Sequence, residues 1–288
     1  MKFPSLYGRG TPVYSFEFFL PKAPTDMGRF RETVVELKKL SPDFVSLTYG
    51  AGGSARTQTI ETASMIQREI GIEAACHLTS IAHTKAEIAE ILDRIAGEGI
   101  ENIVALRGDM PKDMDPIPVE NREMPYAADL VREINARGGF SMAVAGYPET
   151  HTEAVSPEDD LKHLKEKIDA GGEWIMTQLF FDNKVYFDFV KRARAIGITV
   201  PIVPGIMPIA TAKQTKRFTE MCGTSLPKAL LDGLDPIAAD KEAVTAFGIE
   251  YATQQCKDLL AGGAPGIHFY TLNKSRATAT ILENIRKS

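Results

Sequence analysis

Eight short runs of β-branched and aromatic residues alternate along the chain with longer amphipathic segments, and this alternation restricts the fold more than any other feature. A strand followed by a helix, repeated eight times, predicts an α/β protein with a closed parallel (β/α)8 TIM-type barrel, whereas an open doubly wound sheet does not need eight units. The predicted strands begin at Val13, Asp43, Glu73, Asn102, Ser141, Trp174, Pro201 and Gly266 and read VYSFEFF, DFVSLTY, EAACHLT, NIVALRG, SMAVAGY, WIMTQLFF, PIVPGIM and GIHFYTL.

The predicted barrel is one domain over residues 1–288, because no flexible linker or change of composition divides the chain. One helical segment opens with Ser156-Pro157 and closes on a pair of glycines, which are typical helix-end signals. Two departures from the pattern are a long loop, 109–123, after the fourth strand and a second helical stretch, roughly 226–261, inserted before the eighth strand. A loop of that length in a compact domain is usually functional or disordered.

Charge and cysteine content exclude several classes of protein. A net charge of −5 gives no basic field that would draw the chain to nucleic acid or to anionic lipid. The cysteines, Cys76, Cys222 and Cys256, form no CxxC motif, so neither a disulfide framework nor a zinc-thiolate site is expected. The first residues lack the apolar core of a signal peptide, and no run is long enough to cross a membrane. We therefore expect a reduced, cytoplasmic protein.

The first predicted strand contains a glutamate in apolar surroundings, since Glu17 lies between Phe16 and the pair Phe18-Phe19 in the string SFEFFLPK. A buried carboxylate is costly unless it is paired or protonated. Either Glu17 faces outward as the polar member of an alternating strand, or the chain keeps a buried acid for its chemistry.

Polar residues gather at the ends of the predicted strands, where the active site of a barrel of this type lies. Because strand ends adjoin polar loops in any protein, chance also contributes to this pattern. We expect a polar rim built from nearly every strand, with the members Glu17, Thr48, His77, Arg107, Asp109, Tyr147, Glu149, Gln178, Asp182 and Asn273.

Several common site motifs are absent from the sequence. There is no GxGxxG after the first strand, no GxxxxGK[ST] and no GxSxG, so neither a Rossmann site, a P-loop nor a serine hydrolase is predicted. The string GAGG at 50–53 is either a phosphate-cradling turn or a simple turn, and the simple turn is favoured. The alternation of Glu149, His151 and Glu153 has no second histidine nearby, so no metal site is predicted.

Nine strings follow one another in order over almost the whole chain: SFEFFLPK, VSLTYGAGG, CHLTS, NIVALRGD, VAGYPETHTEA, DLKHLKEKIDAGG, TQLFFD, PGIMP and IHFYTLNKS. Together they resemble the 5,10-methylenetetrahydrofolate reductase family. Each string alone is weak, whereas nine in sequence, each at a predicted strand or its edge, are highly specific. The resemblance implies a (β/α)8 barrel that carries FAD, in agreement with the number of units.

The resemblance implies that Glu17 is the general acid that protonates N10 of the folate and opens its five-membered ring to a reactive iminium ion. Apolar surroundings disfavour the charged carboxylate, which suits a proton donor near neutral pH. By the same resemblance, Asp109 lies beside the pterin and the flavin and stabilises the cation, and Gln178 hydrogen-bonds the pterin.

Three further positions are implied to contact substrate. Gln214 and Phe218 share a face of the predicted seventh helix. The resemblance places Gln214 on the substrate and Phe218 against the aminobenzoyl ring of folate or the nicotinamide, although spacing alone would make Phe218 a core residue. Lys274 stands where several members of the family have arginine, so a point charge instead of a bidentate fork would meet the glutamate tail of folate.

Nine residues match the positions that hold FAD in the family, and among them Arg107 and Lys167 would offset the charge of the pyrophosphate. Without the resemblance, Asp160 and Lys167 would be interpreted as a solvated helix face and His77 as a core histidine. The nine residues are Thr48, His77, Arg107, Gly108, Asp109, Tyr147, His151, Asp160 and Lys167.

The resemblance thus implies a homo-oligomeric, FAD-dependent reductase of one-carbon metabolism and methionine biosynthesis. Methylenetetrahydrofolate and NADH or NADPH would use one site in turn, by ping-pong kinetics. The alternatives are a flavin-free reductase and a non-catalytic folate-binding subunit of an electron-transfer complex. Because the chain ends directly after the eighth unit, we do not expect a C-terminal regulatory domain that responds to S-adenosylmethionine.

Overall fold

The computed structural model describes residues 1–21, 23–49, 53–110, 115 and 117–287. The first three residues of the predicted GAGG turn lie outside these ranges, as do five positions of the predicted 109–123 loop. Gly53, the last glycine of that turn, is the first residue of a helix.

In the described ranges, nine parallel strand segments form one sheet that curves into a nearly closed barrel, and the predicted (β/α)8 barrel is confirmed. The first segment pairs with the second and with the last, which closes the barrel. Two short segments flank Pro204, which has no N–H for the ladder, and together they fill the seventh position by pairing with strand six and with the last strand. The segments are β1 (Val13–Phe18), β2 (Phe44–Leu47), β3 (Ala74–Thr79), β4 (Asn102–Leu106), β5 (Ser141–Gly146), β6 (Trp174–Thr177), β7 (Ile202–Val203), β8 (Gly205–Ile206) and β9 (Gly266–Tyr270).

The helices follow the strands in the predicted order. The fifth helix begins as its sequence indicates, because Pro157 lies in its first turn and the backbone N–H of Asp159 donates to Ser156 Oγ at 3.2 Å. The predicted insertion at 226–261 is confirmed, as two helices separated by a short 3-10 turn (Asp235–Ile237). The helices are α1 (Met27–Lys38), α2 (Gly53–Met65), α3 (Lys85–Gly97), α4 (Ala127–Arg137), α5 (Pro157–Asp169), α6 (Asn183–Ala195), α7 (Ala212–Cys222), α8 (Lys228–Leu234), α9 (Lys241–Ala261) and α10 (Arg276–Arg286).

The two ends of the barrel interior differ in polarity. At the N-terminal end, Phe3 and Leu6 of a short 3-10 helix fill the interior, and the ring of Phe3 stacks on Phe44 at 3.9 Å between centroids, beside Trp174. This aromatic plug excludes water from that end, since large apolar side chains gain most from burial. Farther along, polar side chains are buried on β1, β2, β3 and β9, namely Ser15, Glu17, Ser46, His77 and His268.

The sixth strand is shorter than predicted, because it ends at Thr177 and not at Phe181. Leu179 and Phe181 instead join a hydrophobic cluster with residues of α8 and α9. The apolar run therefore contributes first to the barrel core and then to this second cluster. The pattern of apolar residues alone does not show where the strand ends within such a run. The early end of the strand leaves Gln178 at the rim of the barrel.

Candidate active site

A cavity of about 410 Å³ opens at the C-terminal ends of the strands, and we call it the central cavity. Its volume lies in the range of small-molecule sites. Apolar side chains such as Val104, Leu106 and Met176 form part of its wall. It brings together eight of the predicted site residues: Glu17, Thr48, His77, Gly108, Asp109, Tyr147, Gln178 and Phe218.

Glu17 faces this cavity, so its interpretation as an outward-facing strand residue is wrong. Its side chain is buried, with 7% of the residue exposed. One carboxylate oxygen, Oε2, lies 3.4 Å from His77 Nε2 and 3.6 Å from His268 Nε2. The acid therefore contacts two imidazoles and no lysine or arginine among the described residues.

Each imidazole also contacts a hydroxyl group, His268 through its far nitrogen and His77 through the nitrogen that lies beside Glu17. Ser15 Oγ lies 2.7 Å from His268 Nδ1, and Ser46 Oγ lies 3.2 Å from His77 Nε2. Burial lowers the pKa of His77, an effect that Glu17 opposes and His268 reinforces. The surroundings of Glu17 consequently favour a neutral imidazole, which offers hydrogen bonding without a full positive charge.

His268 and Tyr270 are functional candidates that the sequence analysis missed. Both lie on β9, two residues apart, and in the ladder Ser15 faces His268 while Glu17 faces Tyr270. The Tyr270 hydroxyl donates to the Thr177 carbonyl oxygen at 2.6 Å, and burial raises its pKa. Every second residue of a strand faces the same side, so the string GIHFYTL indicates that His268 and Tyr270 share one face of β9. The register with β1 is needed to show that they lie beside Ser15 and Glu17.

A second cavity of about 330 Å³, which we call the flanking cavity, lies between the ends of β4 and β5 and the helices α4 and α5. The remaining residues predicted to hold FAD, which are Arg107, His151, Asp160 and Lys167, line it. The two cavities adjoin, because they share the wall residues Leu106, Gly108, Asp109, Ala145 and Tyr147.

Arg107 is the main cation of the flanking cavity and is paired with Glu153. Nη1 lies 2.5 Å from Oε2 of the carboxylate, Nη2 donates to Oε1 at 2.9 Å, and Nε donates to the Gly108 carbonyl oxygen at 3.2 Å. This hydrogen-bonded pair raises the pKa of Arg107 against the effect of burial and lowers the pKa of Glu153.

Lys167 and Asp160 lie on the face of α5 that borders the flanking cavity, so their interpretation as a solvated helix face is wrong. Lys167 Nζ donates to the Ala145 carbonyl oxygen at 2.6 Å, and burial lowers its pKa to about 8 against the effect of Asp160. Asp160 Oδ2 accepts from the backbone N–H of His151 at 3.0 Å. Burial also lowers the pKa of His151.

Gly108 lies where the two cavities meet, and its backbone requires glycine. Its φ is +82°, and a Cβ atom there would stand 2.7 Å from Cβ of Thr79. Only glycine fits this combination of a left-handed conformation and a close approach. The close packing of Thr79 against the backbone at this junction thus depends on the absence of a side chain at Gly108.

Two predicted substrate contacts, Gln214 and Lys274, line neither cavity. Gln214 lies in the first turn of α7, where its backbone N–H donates to Thr211 Oγ1 at 3.1 Å, and Lys274 is exposed. Phe218 lies one turn farther along α7 and does reach the central cavity. A shared helix face therefore did not suffice to place both residues at the cavity, because Gln214 lies one turn before Phe218, in the first turn of the helix.

Glu149 and Glu153, which alternate with His151 in the sequence, each contact a protein partner. Within the described ranges no three His, Cys, Asp or Glu side chains are grouped as metal ligands. Glu149 Oε2 instead accepts from the N–H and hydroxyl of Ser225, and Glu153 pairs with Arg107.

No helix in the part of the chain that the structure describes has the length and apolar character of a membrane span.

Known proteins resemble this chain in sequence along almost its whole length. The family model described as methylenetetrahydrofolate reductase matches residues 2–286. Methylenetetrahydrofolate reductase (NADH) 1 of Arabidopsis thaliana is 40% identical over 99% of this chain but only 50% of its own length. The 5,10-methylenetetrahydrofolate reductase of Escherichia coli is 37% identical over 94% of this chain and 90% of its own length. The chain therefore spans about half of the plant relative and most of the bacterial one.

A solved structure shares the fold at low sequence identity. It is an uncharacterized protein from Clostridium thermocellum that binds two copies of 5-methyl-5,6,7,8-tetrahydrofolic acid. The likeness has a TM-score of 0.65 at 13% identity and covers 98% of this chain and 96% of the other. At this identity the similarity concerns the barrel alone.

Proposed function

The chain belongs to the methylenetetrahydrofolate reductase family, and on that premise we propose that it reduces 5,10-methylenetetrahydrofolate to 5-methyltetrahydrofolate, with FAD as bound cofactor and NADH or NADPH as hydride donor. The observation that carries the proposal is the placement of Glu17, an acid buried in the wall of a ligand-sized cavity between two imidazoles. The names of the bacterial relatives, which this chain covers almost fully, support the same reaction.

Glu17 is the proton donor in this proposal. Reduction of the methylene group requires N10 to leave, and a general acid in the cavity wall makes N10 a leaving group by protonating it. The carboxylate that remains lies beside the ring nitrogens of His77 and His268, at 3.4 and 3.6 Å. The two neighbouring imidazoles stabilise the new charge electrostatically, while the apolar wall keeps water from supplying protons elsewhere.

Asp109 and Gln178 orient the substrate around this acid. Asp109 lines both cavities, so its carboxylate lies close to the cation that forms when the folate ring opens. The side-chain oxygen of Gln178 accepts from the N–H of Leu179 at 2.9 Å, which fixes the amide and directs its NH₂ donors elsewhere. The ring of Phe218 offers an apolar surface for an aromatic part of either substrate.

The two adjoining cavities fit a dinucleotide such as FAD. The flanking cavity offers two cations, Arg107 and Lys167, for a diphosphate, and the central cavity offers apolar walls for a planar ring system. Gly108 and Asp109 line both cavities at their junction, so one ligand can extend from one cavity into the other. FAD, when bound, supplies a two-electron carrier that takes hydride from a nicotinamide and passes it to folate.

An absorption spectrum of the purified protein tests this proposal first. We expect the two bands of a flavin, which bleach when NADH or NADPH is added without oxygen and return when methylenetetrahydrofolate is added. Methyltetrahydrofolate formed without any flavin band would support a flavin-free reductase. Folate binding without turnover by any nicotinamide would support a binding subunit and would overturn the proposed reaction.

A further inference from the structure

The guanidinium of Arg107 already has an anionic partner. Both of its terminal nitrogens contact the carboxylate of Glu153, at 2.5 and 2.9 Å, in the fork geometry that also suits two phosphate oxygens. Its third nitrogen group, Nε, is held by the carbonyl of Gly108. A diphosphate that is to use this fork must therefore replace a carboxylate of the same charge sign.

Several acidic side chains line the flanking cavity, and most of them contact groups other than Arg107. Asp160 accepts from the backbone of His151. Glu166 Oε2 lies 3.0 Å from Nδ1 of His163, and Asp159 lies 3.6 Å from its other ring nitrogen. Among the acids that line this cavity, Glu153 is the one that pairs with the main cation.

Glu153 also has room to leave. Its side chain is 62% exposed, whereas that of Arg107 is 26% exposed. The carboxylate can turn outward into water, where its solvation is regained, while the guanidinium stays in the cavity wall. The loop that carries it remains anchored, because Glu149 accepts two hydrogen bonds from Ser225 on the segment after α7.

We propose that Glu153 is an internal competitor for the phosphate-binding fork of Arg107, so that it sets how tightly the flanking cavity binds the diphosphate of a dinucleotide. The identity of that ligand as FAD rests on the proposed function. Binding exchanges one anion for another on Arg107, so the affinity of the cavity is lower than its two cations alone would give.

The substitution Glu153→Gln tests this competition, with Glu166→Gln as a matched control. Both changes remove one negative charge from the same cavity, but only Glu153 contacts Arg107. Flavin fluorescence, which rises as FAD leaves the diluted holoprotein, gives the dissociation constant. We expect Glu153→Gln to lower it about three- to tenfold and Glu166→Gln to lower it less than about twofold, because a partly exposed ion pair is worth only a modest amount.

Equal tightening in both variants would show a general field effect and overturn the proposal, as would unchanged or weaker binding in Glu153→Gln.

Calorimetry with ADP and with inorganic pyrophosphate separates this result from the proposed function. If FAD does not bind but ADP or pyrophosphate binds more tightly to Glu153→Gln, the competition stands and the flavin assignment fails. If FAD binds and Glu153→Gln binds none of the three ligands more tightly, the competition fails and the flavin assignment stands. If the wild-type chain binds none of them, both fail.

Discussion

The central and the flanking cavity hold buried charge in opposite ways. In the central cavity the buried acid, Glu17, lies near apolar walls, and within the described residues its carboxylate pairs with two imidazoles and with no lysine or arginine. In the flanking cavity the main cation, Arg107, is matched by the carboxylate of Glu153. An acid without a fixed countercharge can exchange its proton with a substrate, whereas a paired cation can exchange its partner. A buried ionisable group therefore serves proton transfer or ligand binding according to how its charge is neutralised.

The largest effect should follow from removing the acid of the central cavity. Glu17→Gln keeps the shape and a hydrogen bond but cannot donate a proton, so we expect the folate half-reaction to slow by about 10²- to 10⁴-fold. Flavin content and flavin reduction by the nicotinamide should be unchanged, since neither needs this proton. Rapid-mixing absorbance measures the two half-reactions separately.

Glu101→Gln is the control for that variant, because Glu101 pairs with the terminal amine of Met1 at the opposite end of the barrel. It should leave both half-reactions intact. An equal loss of both half-reactions in Glu17→Gln would contradict the assignment of Glu17 to proton transfer alone, because the acid would then serve ligand binding as well.

The junction of the cavities should be the next most sensitive place. Gly108→Ala introduces a side chain at φ +82° and 2.7 Å from Cβ of Thr79, so we expect a loss of about 2–4 kcal/mol in the free energy of unfolding. Gly10→Ala is the matched control, since Gly10 has φ +74° with no atom within 4 Å and should lose only about 1 kcal/mol. Urea unfolding measures both. Equal losses would show that local movement relieves the clash with Thr79 and that close packing does not fix the backbone at the junction.

The smallest effect concerns pH and Lys167. Burial lowers its pKa from 10.5 to about 8, so between these values the unfolded chain binds more protons than the folded one, and the free energy of unfolding rises with pH. A bound diphosphate favours the charged lysine, so FAD affinity should change in the opposite sense and fall above pH 8, by at most about tenfold per pH unit.

Dissociation constants for FAD at pH 7, 8 and 9 measure this dependence. Lys167→Arg should flatten it, because arginine keeps its charge throughout the range. If the dissociation constant of Lys167→Arg still rose with pH, another group would be responsible for the pH dependence. Lys167 would then not differ from the paired Arg107 in its response to pH.

The barrel and much of the rim could be predicted from the sequence, for reasons that are local. The alternation of strand and helix patterns specifies the order of elements. The ends of the strands specify the rim, so the sequence predicts that Glu17, His77 and Asp109 lie there. Alternation along β9 would also have revealed His268, but only with the register against β1 in hand.

Features that depend on how separate elements pack could not be predicted. The division into two cavities arises from the position of α4 and α5 beside β4 and β5, and the pair of Arg107 with Glu153 joins residues that lie 46 positions apart. For the same reason the predicted roles of Gln214 and Lys274 found no support in the cavity walls, since they required the tilt of α7 and the path of the segment after β9. Their roles stay predictions.

The five residues that line both cavities make the wall between them a shared boundary. Tyr147 is one of them, and its ring also packs edge-on against His151, at 4.6 Å between centroids. A ligand that displaces this ring in one chamber changes the shape of the other. Thermodynamic linkage then requires the influence to be mutual, so a ligand in the flanking cavity changes the affinity of the central cavity for its ligand by the same factor as the reverse.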